Sequence, residues 1–230
     1  MQPLPIVAAV SLPIQASDQR FAVHRVYCVG RNYADHAKEM GASGREPPFF
    51  FFKPSDTVFE VANGASRDWP YPSLTQDLHY EVELVVAIGR GGKNIPVDQA
   101  AHHIWGYAVG LDMTRRDLQA AMKKESKPWC IGKGFDGSAP IGPIVPIETT
   151  GALTAGEITL AVNGEIRQRG DFSQMIWNVA EVIAHVSQAW ELKAGDLIFT
   201  GTPAGVGQVR RGDVMQVSAQ GVGSFSVNVV

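Results

Sequence analysis

The chain is short of cysteine and of long hydrophobic runs, and each shortage excludes a class of protein. Cys28 and Cys130 are the only cysteines among 230 residues, too few for a disulfide framework and suited to a reducing compartment. No apolar stretch reaches the roughly 18–20 residues that a membrane-spanning helix needs. The opening MQPLPIVAAVSLPIQ is apolar, but prolines break it and no basic residue precedes it. A secretory leader is therefore not expected, and the expected location is cytoplasmic. Charge of one sign is scarce too: 20 Lys+Arg against 23 Asp+Glu leave a net charge of −3. That balance argues against a nucleic-acid partner. Low-complexity linkers, long charge blocks and repeats of 20–50 residues are missing. The remaining composition, 45% hydrophobic and 19% charged, is that of a globular chain with one sizeable core.

What is present is a strand-rich pattern. The first 22 residues read as an extended N-terminal arm, and residues 23–230 as a single domain. RVYCVG (25–30) reads as a strand and NYADHAKEM (32–40) as a short helix stopped by Gly41. EPPFFFFKP (46–54) reads as a buried strand between prolines, and PVDQAAHHI (96–104) as helical. GYAVGLDMT (106–114) reads as a strand followed by the short helix RRDLQAAMKK. In ITLAVNGEIRQ (158–168), Asn163-Gly164 supplies the two positive-φ positions of a tight hairpin. SQMIWNVAEVIAHVSQAW (173–190) carries apolar residues at helical spacing and is the one longer helix. DLIFTG, DVMQVSAQ and SFSVNVV read as three more strands. Strands and helices do not alternate regularly, and no dinucleotide fingerprint follows a strand. The expected fold is α+β, built around a β-roll or sandwich rather than a doubly wound sheet.

One strand is chemically odd. In DLHYEVELVVAIG, period-2 alternation puts Leu78, Tyr80, Val82, Leu84 and Val86 on one face. His79, Glu81, Glu83, Val85 and Ala87 fall on the other. Two carboxylates roughly 6.5–7 Å apart at their Cα atoms then leave one side of a half-buried strand. Like charges so placed raise each other's pKa and cost stability. Either that face is solvated or a divalent cation is held between the acids. Asp112 ends GYAVGLDMT on the face opposite Tyr107, Val109 and Leu111, as a turn starter or as a third ligand if the two strands are neighbours. Three carboxylates without cysteine favour Mg²⁺, Mn²⁺ or Ca²⁺ over Zn²⁺. His79 shares the glutamate face and reads as a wall of that site, or as a group supporting its ligands, rather than as a ligand.

His36 and Glu39 lie three apart on the expected helix and sit side by side. Spacing alone fits either an ordinary surface pair or a carboxylate-oriented imidazole that activates water. His185 falls on the polar face of its helix and reads as solvated. Arg115, Arg116 and Gln119 follow Asp112 closely, and Lys133 stands between glycines in CIGKGFDG. Such groups clamp carboxylates and oxyanions, or are surface charges. TGTPAGVG (200–207) lacks the ending of a P-loop, but its amides suit a small carboxylate.

YCVGRNYADHAKEM, PFFFFKPSDTV, DLHYEVELVVAIG, GYAVGLDMTRRDLQ, KPWCIGKGFDGSAPIGP, VNGEIRQRG and DLIFTGTPAGVG together resemble the fumarylacetoacetate hydrolase family, in order, from about residue 23 onward. The likeness is to its short acylpyruvate and fumarylpyruvate hydrolases. The resemblance implies a mixed β-sandwich roll, a homodimer and a divalent metal, usually Mg²⁺ or Mn²⁺. It assigns the metal to Glu81, Glu83 and Asp112, and a water-activating dyad to His36 and Glu39. It makes Lys133 and Gln119 catalytic as stabilisers of an oxyanion. It puts Arg116 and Thr202 at the substrate, with Arg31, Asn32 and Lys53 nearby. The implied reaction is hydrolytic C–C cleavage of a 2,4-dioxo acid. The wording of two stretches inclines to fumarylpyruvate, cleaved to fumarate and pyruvate in aromatic-acid breakdown. Oxaloacetate decarboxylation and isomerisation or hydration of related oxo acids are the rival readings on the same scaffold. A non-catalytic dicarboxylate binder is the third.

Overall fold

The computed structural model describes residues 8–34 and 45–230. Most of the helix expected over 32–40, with His36 and Glu39, lies outside the described residues. Strand Val82–Ile88 runs through the middle of an eight-stranded sheet. It pairs antiparallel with Ile104–Leu111 on one side and with Leu197–Phe199 on the other. Leu197–Phe199 is parallel to Val26–Gly30, which carries the edge strand Phe49–Lys53. A five-stranded sheet contains the hairpin of Glu157–Val162 and Glu165–Asp171, whose turn residues Asn163 and Gly164 have φ of 53° and 82°. Leu78–Tyr80 is the middle strand of a separate three-stranded sheet. The result is a mixed α+β fold, mostly strands in curled sheets with few helices.

The strand expected as one run from Asp77 is thus two, and the chain changes sheets at Glu81. Its second part is also wetter in expectation than in fact, because every residue of Val82–Ile88 is buried. Leu84 and Val86 share a core with Leu160, Val217 and Phe225 of the five-stranded sheet and with Ile183 of a helix. Val85 and Ala87 share a second core with Leu12 and Phe21. Those two come from a hairpin of Ser11–Pro13 and Arg20–Ala22, formed where an extended arm was expected.

Two further expectations change. The helix expected over 173–190 is Val179–Ala189, because Asn178 and Glu181 form a reciprocal capping box that starts it. Phe172–Gln174 is a separate 3₁₀ turn with its own box from Asp171 and Gln174. The phenylalanine strand is not buried. As an edge strand it leaves Phe49 37% and Phe52 39% exposed, while Lys53 is 1% exposed. Among the described residues, no helix is long and apolar enough to cross a membrane.

Candidate active site

The sheet register assembles an acidic centre. Val82 pairs with Leu111, and the Asp112 N–H donates to the Glu81 carbonyl at 2.9 Å. The two acids therefore leave adjacent strand ends together. On the other flank, 200–202 continues alongside Val82–Ile88. Thr200 N–H and its hydroxyl both donate to the Leu84 carbonyl, and the Thr202 hydroxyl donates to the Val82 carbonyl. This aims the Gly201 N–H at Glu83 Oε2, 2.6 Å away. Gly201 has a φ of 97°, and a Cβ there would lie 2.7 Å from that of Asn32, so only glycine suits the turn. Glu81, Glu83 and Asp112 are all buried and each brings an oxygen within 4.8 Å of the others.

Cations brace this cluster. Lys133 Nζ reaches Glu81 Oε2 at 3.0 Å, Asp112 Oδ2 at 2.7 Å and Thr114 Oγ1 at 2.6 Å. Arg116 pairs with Glu81 Oε1 and donates to Gln119 Oε1 at 2.6 Å. Burial pushes the Glu83 carboxyl well above its ordinary pKa, and the Asp112 and Glu81 charges push it further. Burial works the other way on Lys133, but Asp112 and Glu81 outweigh it and hold that ammonium above its usual pKa. His79 is depressed by burial and by Arg116, and its Nε2 lies 2.9 Å from Asp77 Oδ1. A neutral imidazole with Nε2–H given to Asp77 turns its Nδ1 lone pair toward Arg116 Nε, 3.4 Å away. His79 stands behind Arg116 and is not among the residues that line the cleft.

The donor set fits a hard dication. It is all oxygen, buried, and in electrostatic conflict that a dication would relieve. Asp112 Oδ1 is also buried without a well-angled hydrogen bond, although Lys53 Nζ stands 2.8 Å from it as an ion pair.

The sequence-expected residues separate into two groups. Arg31, Arg116, Gln119, Lys133 and Thr202 line one cleft with Glu81 and Glu83. Gly132 makes this possible for Lys133, since a Cβ there would lie 3.0 Å from the Gln119 backbone nitrogen of the neighbouring helix. Lys53 and Asn32 are elsewhere. Lys53 is sealed beneath the centre, donating to the Met113 and Lys133 carbonyls and pairing with Asp112. Asn32 spends both amide hydrogens on the Trp177 and Thr200 carbonyls, at 2.8 Å each, and accepts from Trp177 N–H. It ties the chain after Arg31 to the Gly201 turn. Arg115 turns away to stack on Phe135, and His185 is half-buried edge-on against Trp177 rather than solvated.

Sequence reasoning missed the aromatic lining of the cleft, Phe49, Phe51 and Trp129. It also missed Thr114, and Gln168, which donates to Thr202 Oγ1 at 2.8 Å. Trp129 lies four residues before Lys133, one helical turn, which was the available signal.

Comparison with known proteins supplies the family. The model of the fumarylacetoacetate (FAA) hydrolase C-terminal family matches residues 25–230. The crystal structure of fumarylpyruvate hydrolase from Pseudomonas aeruginosa, in complex with Mn²⁺ and pyruvate, is 56% identical with a TM-score of 0.98. That match covers 100% of this chain and 99% of the other. The mitochondrial oxaloacetate tautomerase FAHD1 of Rattus norvegicus is 41% identical over 204 residues, 89% of this chain and 90% of its own. The mitochondrial oxaloacetate decarboxylase of Dictyostelium discoideum is 39% identical over 198 residues, 86% of this chain and 89% of its own. With a three-carboxylate centre set at the strand ends of a curled-sheet fold, and a family match spanning residues 25–230, the chain belongs to the fumarylacetoacetate hydrolase family.

Proposed function

We propose that the chain is a divalent-metal-dependent hydrolase of acylpyruvates, with fumarylpyruvate as the substrate, acting as a cytoplasmic homodimer whose catalytic domain is residues 23–230. The observation that carries this reading is the buried Glu81–Glu83–Asp112 cluster opening on the same cleft as Arg116, Gln119 and Lys133. The likeness to an enzyme of that name with Mn²⁺ and pyruvate supports it.

Glu81, Glu83 and Asp112 would hold Mg²⁺ or Mn²⁺, and Ca²⁺ suits the same oxygens. When bound, the cation supplies fixed positive charge where enolate charge develops on the keto-acid end. Lys53, Arg116 and Lys133 already pair with Asp112 and Glu81, and Glu83 is the acid left in conflict. A dication therefore leaves surplus positive charge for an anionic substrate. Arg116 orients the substrate carboxylate, and its fork is set by Glu81, Gln119 and His79. His36, oriented by Glu39, takes a proton from the water that attacks the distal carbonyl. Lys133 gives up one of its three partners, and with the Gln119 amide steadies the tetrahedral oxyanion. The oxyanion collapses to the carboxylic acid as the C–C bond breaks. The bond's electron pair leaves on the pyruvyl carbon as an enolate, which takes the proton back. Acylpyruvate and water thus give one acid and one pyruvate.

Oxaloacetate decarboxylation is the second reading, favoured by the relatives of that name and of oxaloacetate tautomerase. It forms the same pyruvate enolate but needs no attacking water. An assay with Mg²⁺ or Mn²⁺ across fumarylpyruvate, acetylpyruvate and oxaloacetate separates them. The hydrolase reading expects equimolar fumarate and pyruvate at the highest kcat/KM. Dominant CO₂ release from oxaloacetate replaces it with the second.

A further inference from the structure

Beyond the acidic centre the cleft runs along an aromatic wall, and the wall ends on a cation. Lys133 Nζ, bonded to Glu81 and Asp112, stands 5.1 Å from the Phe51 ring centroid. Phe51 lies 6.0 Å from Trp129, and Trp129 meets Phe49 edge-on at 5.5 Å. Arg31 Cζ then stands 5.5 Å over the Phe49 ring. All of these side chains line the same cleft as Glu81 and Glu83.

The far end is deliberately built. A Cβ on Gly30 would fall 2.1 Å from Phe49 Cζ, so the ring lies directly on the glycine backbone. Arg31 has a φ of 57°, a conformation that an arginine keeps only when its surroundings impose it. The next residue, Asn32, is bracketed to Trp177 and Thr200. Among the described residues, the Arg31 guanidinium pairs with no carboxylate; its described contact is the Phe49 ring. A backbone at positive φ therefore presents a cation against the aromatic lining of the cleft.

A keto-acid head anchored between the acidic centre and Arg116 points its acyl tail along this wall. We propose that Arg31 pairs with a carboxylate at the far end of the acyl group, while Phe49, Phe51 and Trp129 stack on its unsaturated part. The cleft thereby selects flat acyl groups that end in an acid over neutral ones such as acetyl. The inference rests on the hydrolase reading and names the residue that sets its acyl preference. A guanidinium fork on a carboxylate is a charge-assisted pair, and a site built for such a partner discriminates strongly against a substrate without it.

The test is the ratio of kcat/KM for fumarylpyruvate to that for acetylpyruvate, with Mn²⁺, in wild type, Arg31→Asn and Arg31→Lys. Asparagine tolerates positive φ, so Arg31→Asn removes the charge without adding backbone strain. The ratio is also insensitive to the fraction of folded enzyme. The expected result is a fall in the ratio of about 100-fold in Arg31→Asn and no more than about tenfold in Arg31→Lys. A ratio within about threefold of wild type in Arg31→Asn overturns the inference while leaving the hydrolase reading intact. A wild-type chain that hydrolyses neither substrate overturns the hydrolase reading, and this inference with it.

Discussion

Among the described residues, Glu83 is in sharp conflict: a buried carboxylate beside two others, with its pKa driven up by burial and by their charge. A carboxyl raised in the folded state contributes stability below its unfolded pKa and loses it as pH rises through the folded one. Glu83→Gln keeps an acceptor for Gly201 N–H and removes the charge. In chelator at pH 7, we expect Glu83→Gln to melt above wild type by about 2–4 °C, equivalent to about 1 kcal/mol. The gap should close toward pH 4.5, and differential scanning calorimetry across pH checks it. His36→Ala makes the complementary prediction: hydrolysis falls at least about 10²-fold while Mn²⁺ affinity is kept. Unchanged turnover would remove the general-base role. The acids were legible residue by residue, since a spacing of two marks one strand face and Asp112 follows a strand of matching length. Lys53 was not. The family resemblance put it near the substrate, and only tertiary pairing with Asp112 reveals that it is sealed beneath the centre.

At the scale of elements, the centre depends on two turns. The Gly201 turn delivers an N–H to Glu83, so Gly201→Ala forces its new methyl against Asn32. That substitution should weaken Mn²⁺ binding about tenfold or more by calorimetric titration, with Glu81 and Asp112 untouched. The second turn, 75–77, leads into the strand of His79 and is pinned by Asp117. Burial alone would raise the Asp117 pKa, but the Thr75 hydroxyl and the Gln76 and Leu118 amides donate to it and hold it down. A depressed carboxylate contributes stability above its unfolded pKa of about 3.9 and loses it as pH falls through the folded value. Asp117→Asn should therefore melt below wild type at pH 7, with the difference fading below about pH 4. Some element boundaries were readable and others were not. The Asn178-x-x-Glu181 box stood in the sequence and marks the helix start that apolar periodicity alone ran past. The break at Glu81 has no local signal, because it depends on which sheet each half of the strand finds.

The whole molecule explains why seven scattered stretches act together. Both faces of Val82–Ile88 are buried, one against the five-stranded sheet and one against the N-terminal hairpin. That double burial holds the ends of four segments, from 81, 112, 133 and 201, in one place. Strand content and the α+β class were legible from pattern. The pairing of segments more than a hundred residues apart, such as Gly201 with Glu83, was not. Nothing local in a chain encodes which distant edge it will meet. The most direct test of the account is Mn²⁺ titration of the chelator-treated chain by calorimetry, in wild type and Glu83→Gln. The account predicts one Mn²⁺ per wild-type chain, a melting temperature that rises with Mn²⁺, and neither effect in Glu83→Gln. A wild-type chain that ignores Mn²⁺, or a variant that binds it equally well, contradicts it.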